Sequence, residues 1–182
     1  AEQAEALMKR LNMYRLRAKV EIATTDLQVK RGTGPAPEGA LSDPRHADLG
    51  WHLIGAEAGD DGSDWNALYV AHCVPQSGIE LGPDSYILEA GFEALNGVDF
   101  RKGCYVGQEV TARMKHKTEL RQGPRQVEIT GTAPVGCDIP ATGKLVGTLF
   151  TQANGKAIAY LRLDRAKGAM QAGDAEIQLL QS

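Results

Sequence analysis

A thiol, a cation, an aromatic ring, an amide and a carboxylate fall within eight consecutive residues, Lys102-Gly103-Cys104-Tyr105-Val106-Gly107-Gln108-Glu109, with Arg101 before them and Arg113 shortly after. Cys104 is the candidate nucleophile or soft-metal ligand, and it acts in either role only as thiolate. Lys102, two residues away, together with Arg101 and Arg113, is placed to lower the pKa of that thiol. Tyr105 offers a ring face to a ligand or to a core, and its hydroxyl needs a partner wherever it is buried. Gln108 and Glu109 can either orient Cys104 and its backbone or hydrogen-bond the polar edge of a ligand. Lys102 as a point charge and Arg113 as a bidentate fork suit a carboxylate ligand, or else form surface ion pairs.

Neither helical nor strand periodicity accounts for this mixture, and each of two glycines four residues apart would cost a helix about 1 kcal/mol relative to Ala. Gly103 and Gly107 instead permit a positive φ, which presents the Cys-Tyr pair at a bend.

The octapeptide matches K-G-C-[FY]-x-G-Q-E, and on it the chain resembles the YgfZ family of folate-binding iron-sulfur cluster assembly proteins, relatives of the glycine-cleavage T-protein (aminomethyltransferase). Residues 95–100 resemble the family's lead-in and residues 110–113 its exit. The resemblance implies tetrahydrofolate as cofactor, with Lys102, Tyr105, Gln108, Glu109 and Arg113 around it. It makes Cys104 the functional cysteine, whether as nucleophile, transient cluster ligand or redox sensor. Glu89 is a further folate-ligand candidate, although Ile87-Leu88-Glu89-Ala90-Gly91 aligns with the T-protein string in one register and with the P-x-E-A segment of YgfZ relatives in another. Asp43-Pro44-Arg45 resembles the family's D-P-R turn, read as structural. Val74-Pro75 resembles its G-[IV]-P corner, with Cys73 where glycine is usual. The implied partners are iron-sulfur client enzymes, tRNA-modifying ones among them, or assembly proteins. The alternative function is a folate-dependent aminomethyltransferase or demethylase, which would need an acidic residue from an N-terminal region this chain does not show. The chain opens at Ala1 directly in a helical pattern, so the expectation is a folate-binding body lacking its N-terminal part.

Composition narrows the classes. With 182 residues and 42% hydrophobic content the chain is long enough for one large domain or two small ones. A net charge of −3 supplies no global field toward nucleic acid or anionic membrane, and no apolar run approaches bilayer length. The expected compartment is the cytoplasm, or the mitochondrial matrix in a eukaryote. Cys73, Cys104 and Cys137 are widely spaced without a CxxC pair, which argues against a disulfide framework or a zinc site, so no metal ligands are assigned. His46, His52, His72 and His116 are scattered and suggest no hydrolase triad. The basic run Arg113, Lys115, His116, Lys117 and Arg121 lacks interleaved aromatics and reads as a solvated strand or loop.

The elements that must position the octapeptide are α+β. Ala4, Leu7, Met8 and Leu11 mark one face of an opening helix. Residues 16–22 alternate apolar and charged and predict a strand, 26–30 a second, a Gly/Pro-rich loop follows over 32–40, and Trp51, Leu53 and Ile54 mark a third. A turn at 60–63 leads into a helix capped by Ser63 or Asp64 and containing Trp65, Leu68 and Tyr69. Residues 84–95 predict another helix. Beyond Leu120, short runs at 126–130, 144–151, 156–164 and 176–180 separated by turn residues predict antiparallel strands. The expected architecture is thus a T-protein-like mixed α/β folate-binding body over 1–118, followed by a small antiparallel β-barrel over 119–182, with the boundary near 116–122.

Overall fold

The computed structural model describes residues 3–105, 107–117, 120–141 and 143–180. Val106 of the octapeptide and the 118/119 boundary lie outside the described residues. Beyond residue 120, period-two patterning produces six strands: β5 (Gln122–Thr130), β6 (Cys137–Ala141), β7 (Lys144–Ala153), β8 (Lys156–Arg162), β9 (Ala169–Ala172) and β10 (Ala175–Leu179), numbered after four earlier ones. They pair antiparallel in the order β6-β7-β8-β5-β10-β9. β6 and β9, at the two ends of this order, also approach one another, so the sheet is a nearly closed barrel. Alternate residues point inward, and Val127, Ile139, Val146, Leu149, Leu161 and Ile177 fill the interior with almost no exposure. The expected strands are all present, while β6 and β9 were not foreseen because their pattern is short and carries Pro140 and small residues.

The preceding part is mixed α/β and more open. A four-stranded sheet has the order β2-β3-β1-β4, formed by β1 (Gln28–Gly32), β2 (Leu41–Ser42), β3 (Trp51–Gly55) and β4 (Gly59–Asp60). β1 is antiparallel to β3 with Lys30 opposite Leu53, and parallel to β4. α2 (Trp65–Ala71) begins where the sequence predicts, with the Asp64 side chain accepting from Ala67 N at 3.0 Å. Leu49, Tyr69 and Val74 form a small second core, with Trp65, Leu68 and Leu95 against it.

Two predicted elements are absent. Residues 16–22 form no strand: Leu16 has a φ of 45°, Arg15 Nη1 donates back to Val20 O, and among the described residues no ladder partner exists to satisfy an extended backbone. Alternation specifies which face would be buried, not that a neighbour is present. The opening helix α1 (Ala4–Tyr14) does form, yet none of its residues is buried and Leu7 and Leu11 are exposed. Residues 84–95 form successive turns instead of a helix. Gly91 and Asn96 adopt φ of 78° and 56°, left-handed values that end each turn before it propagates.

That turn-rich segment is fastened to the barrel by carboxylates. Glu80, 7% exposed, accepts from Gln76 N at 2.8 Å, Thr151 Oγ1 at 2.5 Å and Thr151 N at 3.2 Å. Thr151 lies where the β7–β8 register shifts, so its amide is released from the ladder and taken by Glu80. Glu89 accepts from Tyr160 OH at 2.6 Å and from Gln122 Nε2 at 3.1 Å. The segment comes so close at Gly123 that a Cβ there would run into the Glu89 carbonyl. Gln126 Nε2, on β5, donates to Val70 O and Ala71 O at 2.7 and 2.9 Å and ties down the end of α2.

Removing the Glu80 carboxylate strands the buried Thr151 hydroxyl and amide, so Glu80→Ala lowers unfolding free energy by about 1–3 kcal/mol. Urea denaturation of Glu80→Ala, Thr151→Val and the double variant should show non-additive losses; additive losses would mean that the pair is not coupled.

Candidate functional site

The octapeptide begins in a turn and ends in a helix. Asp99 Oδ1 accepts from Arg101 N at 2.8 Å, which turns the chain at the end of the lead-in. Gly103 and Gly107 have φ of 91° and 87°, and an added Cβ at either would meet no atom within 4 Å. Conformation, not crowding, therefore selects glycine at both positions, as the sequence predicts. Gln108 opens α3 (Gln108–Lys117). Its Oε1 accepts from Tyr105 N at 3.1 Å while its backbone N–H donates to Tyr105 O at 3.3 Å. This reciprocal pair clips the bend on the C-terminal side of Cys104, the orienting role open to Gln108 in the sequence.

Cys104 is exposed at that bend. Lys102 places its ammonium 5.1 Å from the Tyr105 ring centroid, a cation–π contact that holds both over the same side of the turn. Beside them lies a cavity of about 330 Å³, lined among others by Phe100, Gly103, Tyr105, Gln108, Thr111 and Lys115. Lys115 is fixed there by bonds of 2.6 and 2.8 Å to the Glu93 carboxylate and lies 5.3 Å from the Phe100 ring centroid. Tyr105 and Gln108 are thus in the cavity wall, and Lys102 adjoins it. Glu109 and Arg113 are exposed on α3 and are not among its lining residues. Glu89 lies apart, its carboxylate engaged by Tyr160 and Gln122. Burial and then the neighbouring Glu89 push the Tyr160 hydroxyl well above its ordinary pKa.

The run from Arg113 to Lys117 is the body of α3, not a strand or loop, because the bend at Gly107 starts a helix. Sequence reading accordingly missed Thr111, Lys115 and His116 as cavity residues. The signal was present: 108, 111/112 and 115/116 recur at helical spacing once the helix begins at Gln108.

A second cavity of about 410 Å³ lies among Arg45, Tyr69, Val74, Pro75, Phe92 and Leu95. Its Asp43-Pro44-Arg45 edge is rigid. Asp43 takes a two-pronged contact from Arg45, Nε at 3.0 Å and Nη2 at 2.6 Å, and Asn96 Nδ2 donates to Pro44 O at 2.7 Å. Burial alone would raise the Asp43 carboxyl, but the Arg45 hydrogen bonds outweigh it and hold the pKa below its usual value. Cys73 has a φ of 49°, the conformation for which glycine is usual at this corner. Burial pushes its thiol up to about 11. On the turn beyond β2, His46 and Asp48 meet His72 from the end of α2, with the imidazoles stacked at 3.6 Å. The sequence separation of more than twenty residues hid this meeting.

The cysteines therefore differ in reactivity. At pH 7–8 a thiol reagent such as dithionitrobenzoate should modify Cys104 first, with Cys73 protected until the pH approaches 11 or the protein unfolds. Peptide mapping showing Cys73 modified as fast as Cys104 in the native state would contradict this geometry. Because the folded Cys73 pKa is raised, its stabilising contribution is intact below the unfolded thiol value and declines as pH rises from that value through about 11.

Comparison with known proteins agrees with the barrel. Residues 121–181 match the C-terminal beta-barrel domain of CAF17, which corresponds to the six-stranded barrel. The chain is 29% identical over 208 aligned positions to the mouse iron-sulfur cluster assembly factor IBA57, mitochondrial, covering 96% of this chain and 58% of that protein. The human IBA57 is 30% identical over 197 positions, covering 91% and 55%. A tRNA-modifying protein YgfZ of Aliivibrio fischeri is 35% identical over 57 residues, 31% of this chain and 18% of that protein. The chain spans a little over half the length of these two IBA57 relatives. It is thus similar over nearly all of its length to IBA57 iron-sulfur cluster assembly factors, and it ends in a barrel of the CAF17 C-terminal type.

Proposed function

We propose that this protein acts in iron-sulfur cluster assembly, with Cys104 as the thiolate that engages the cluster or its iron as cargo, and with tetrahydrofolate as the molecule held beside it. The carrying observation is the exposed Cys104 at a bend fixed by Gly103, Gly107 and the Tyr105–Gln108 pair, between Gly103 and Tyr105, which both line an amphipathic cavity. The names borne by the relatives point to the same process. In this reading the α+β part is a portion of a T-protein-like folate body. The clients are iron-sulfur enzymes or assembly proteins, met in the mitochondrial matrix of a eukaryote or in the cytoplasm of a bacterium.

The residues present fit a folate. The Phe100 and Tyr105 rings are each about 40% exposed and offer faces to a pterin. Gln108 uses its carbonyl on Tyr105 N, which leaves its Nε2 to donate. Lys102 and Arg113, next in sequence to the cavity residues Gly103 and Ala112, supply cations for the carboxylate tail, and Glu109 lies one helical turn before Arg113 on α3. When bound, tetrahydrofolate supplies one-carbon or redox chemistry of its pterin; the chain's part is to hold the ring and exclude water from one face. Glu89 is engaged by the barrel and supports the site from outside.

Two measurements test this. Cys104→Ser should keep the thermal midpoint and folate affinity of the parent while losing support of a client's cluster in a reconstitution assay; full support by the variant would reject the assigned thiol. In anaerobic calorimetry, Tyr105→Ala and Gln108→Ala should each weaken tetrahydrofolate binding by roughly tenfold, about 1–1.5 kcal/mol per lost ring or hydrogen-bond contact. Unchanged affinity in both would remove folate from this cavity.

A further inference from the structure

We propose that His46, Asp48 and His72 bind a divalent first-row transition-metal ion of the Zn²⁺, Co²⁺ or Fe²⁺ class, at a site that shares no residue with the Cys104 cavity. One donor atom from each residue lies within 4.8 Å of the others. Asp48 Oδ2 is 3.1 Å from His72 Nε2 and 3.8 Å from His46 Nδ1. An ion with bonds of about 2.0–2.2 Å in tetrahedral geometry places neighbouring donors roughly 3.3–3.6 Å apart. The Asp48 separations of 3.1 and 3.8 Å bracket that range, and His46 joins by turning its ring. His46 Nδ1 accepts from Asp48 N at 3.2 Å, so this nitrogen is unprotonated, and ligating an ion through it exchanges that capping bond for the metal bond.

The elements behind the donors are held. His72 caps α2, whose last carbonyls are tied to the barrel by Gln126. His46 and Asp48 flank Ala47 at a short 3-10 turn, which follows the Asp43–Arg45 clasp and the Asn96–Pro44 bond. The His46 and His72 rings are stacked with only 19° between their planes, so the two imidazoles sit together, and the more exposed His46 ring turns out of the stack to bring its lone pair to a shared ion. The backbone on both sides of the site is held, and only the His46 ring has to move.

The donor set selects the metal class. Two imidazoles and one carboxylate favour zinc, cobalt or iron over magnesium or calcium, which prefer all-oxygen sites. Asp48 and His46 are exposed and His72 is 19% exposed, so water fills the remaining positions and the ion exchanges readily. Neither a cysteine nor the folate reading enters this assignment.

The test is titration of the whole chain with Co²⁺ and Zn²⁺ in chelator-treated buffer, followed by visible d–d absorbance and calorimetry. One equivalent should bind. In the Cys104→Ser background, which removes the thiolate as a competing ligand, Asp48→Asn and His72→Gln should each weaken binding at least about tenfold, while His52→Gln leaves it unchanged. Retained affinity in both ligand variants, or no binding at all, would overturn the proposal. Should His72→Gln loosen the fold by circular dichroism, paramagnetic broadening in the native protein decides: Co²⁺ must act first on the His46 and His72 ring resonances, and preferential broadening of His52 or His116 would overturn the assignment.

Discussion

Two carboxylates carry the attachment of the site-bearing segment to the barrel. Between Cys73 and Tyr105 the described chain contains no helix or sheet strand, so its backbone cannot satisfy itself through a ladder. It relies on turn hydrogen bonds and on Glu80 and Glu89, which bond the barrel from the first half and the middle of the turn region. A buried carboxylate is costly unless each oxygen is satisfied. Glu80 meets that condition with Gln76 N on one oxygen and, at the β7–β8 irregularity, Thr151 N and Oγ1 on the other. The irregularity and the carboxylate therefore act together.

This device explains how an exposed thiol can also be an ordered one. Exposure normally brings mobility, because few contacts oppose it. Here Glu93 and Lys115 join the turn segment to α3, and the Tyr105–Gln108 pair joins the bend to the same helix. The two positive-φ glycines make the bend free of strain, so these bonds only have to choose among allowed conformations. Cys73 illustrates the opposite case. It occupies a left-handed backbone position with a β-carbon, and its half-buried thiol is held protonated by desolvation.

The barrel strands were legible because every one of the four predicted runs found a neighbour whose inward face it matched. The Asp64 cap and the glycine bend were legible for a related reason: each is decided within four or five residues. Residues 16–22 and 84–95 show the converse. Both carry a clear periodicity, but the first has no partner strand among the described residues and the second is interrupted by Gly91. The octapeptide's chemistry could be read from residue types, yet its cavity depended on where α3 starts. The His46–Asp48–His72 cluster and the Glu80 clasp depended on long-range contacts that no local pattern encodes.

Stability and chemistry are divided between the two parts of the chain. The barrel holds most of the large buried side chains, whereas the α/β part has a small core around Leu49, Tyr69 and Val74 and leaves Val29, Ile54, Leu7 and Leu11 exposed. Local opening free energies follow buried apolar contact, so the α/β part sits at the low end and the barrel at the high end. The attachments at Glu80, Glu89 and Gln126 consequently set how far the barrel's rigidity extends toward Cys104. A change in the barrel wall at Thr151 or Tyr160 acts on the distant thiol by releasing the segment that carries it, without altering any residue that lines the cavity.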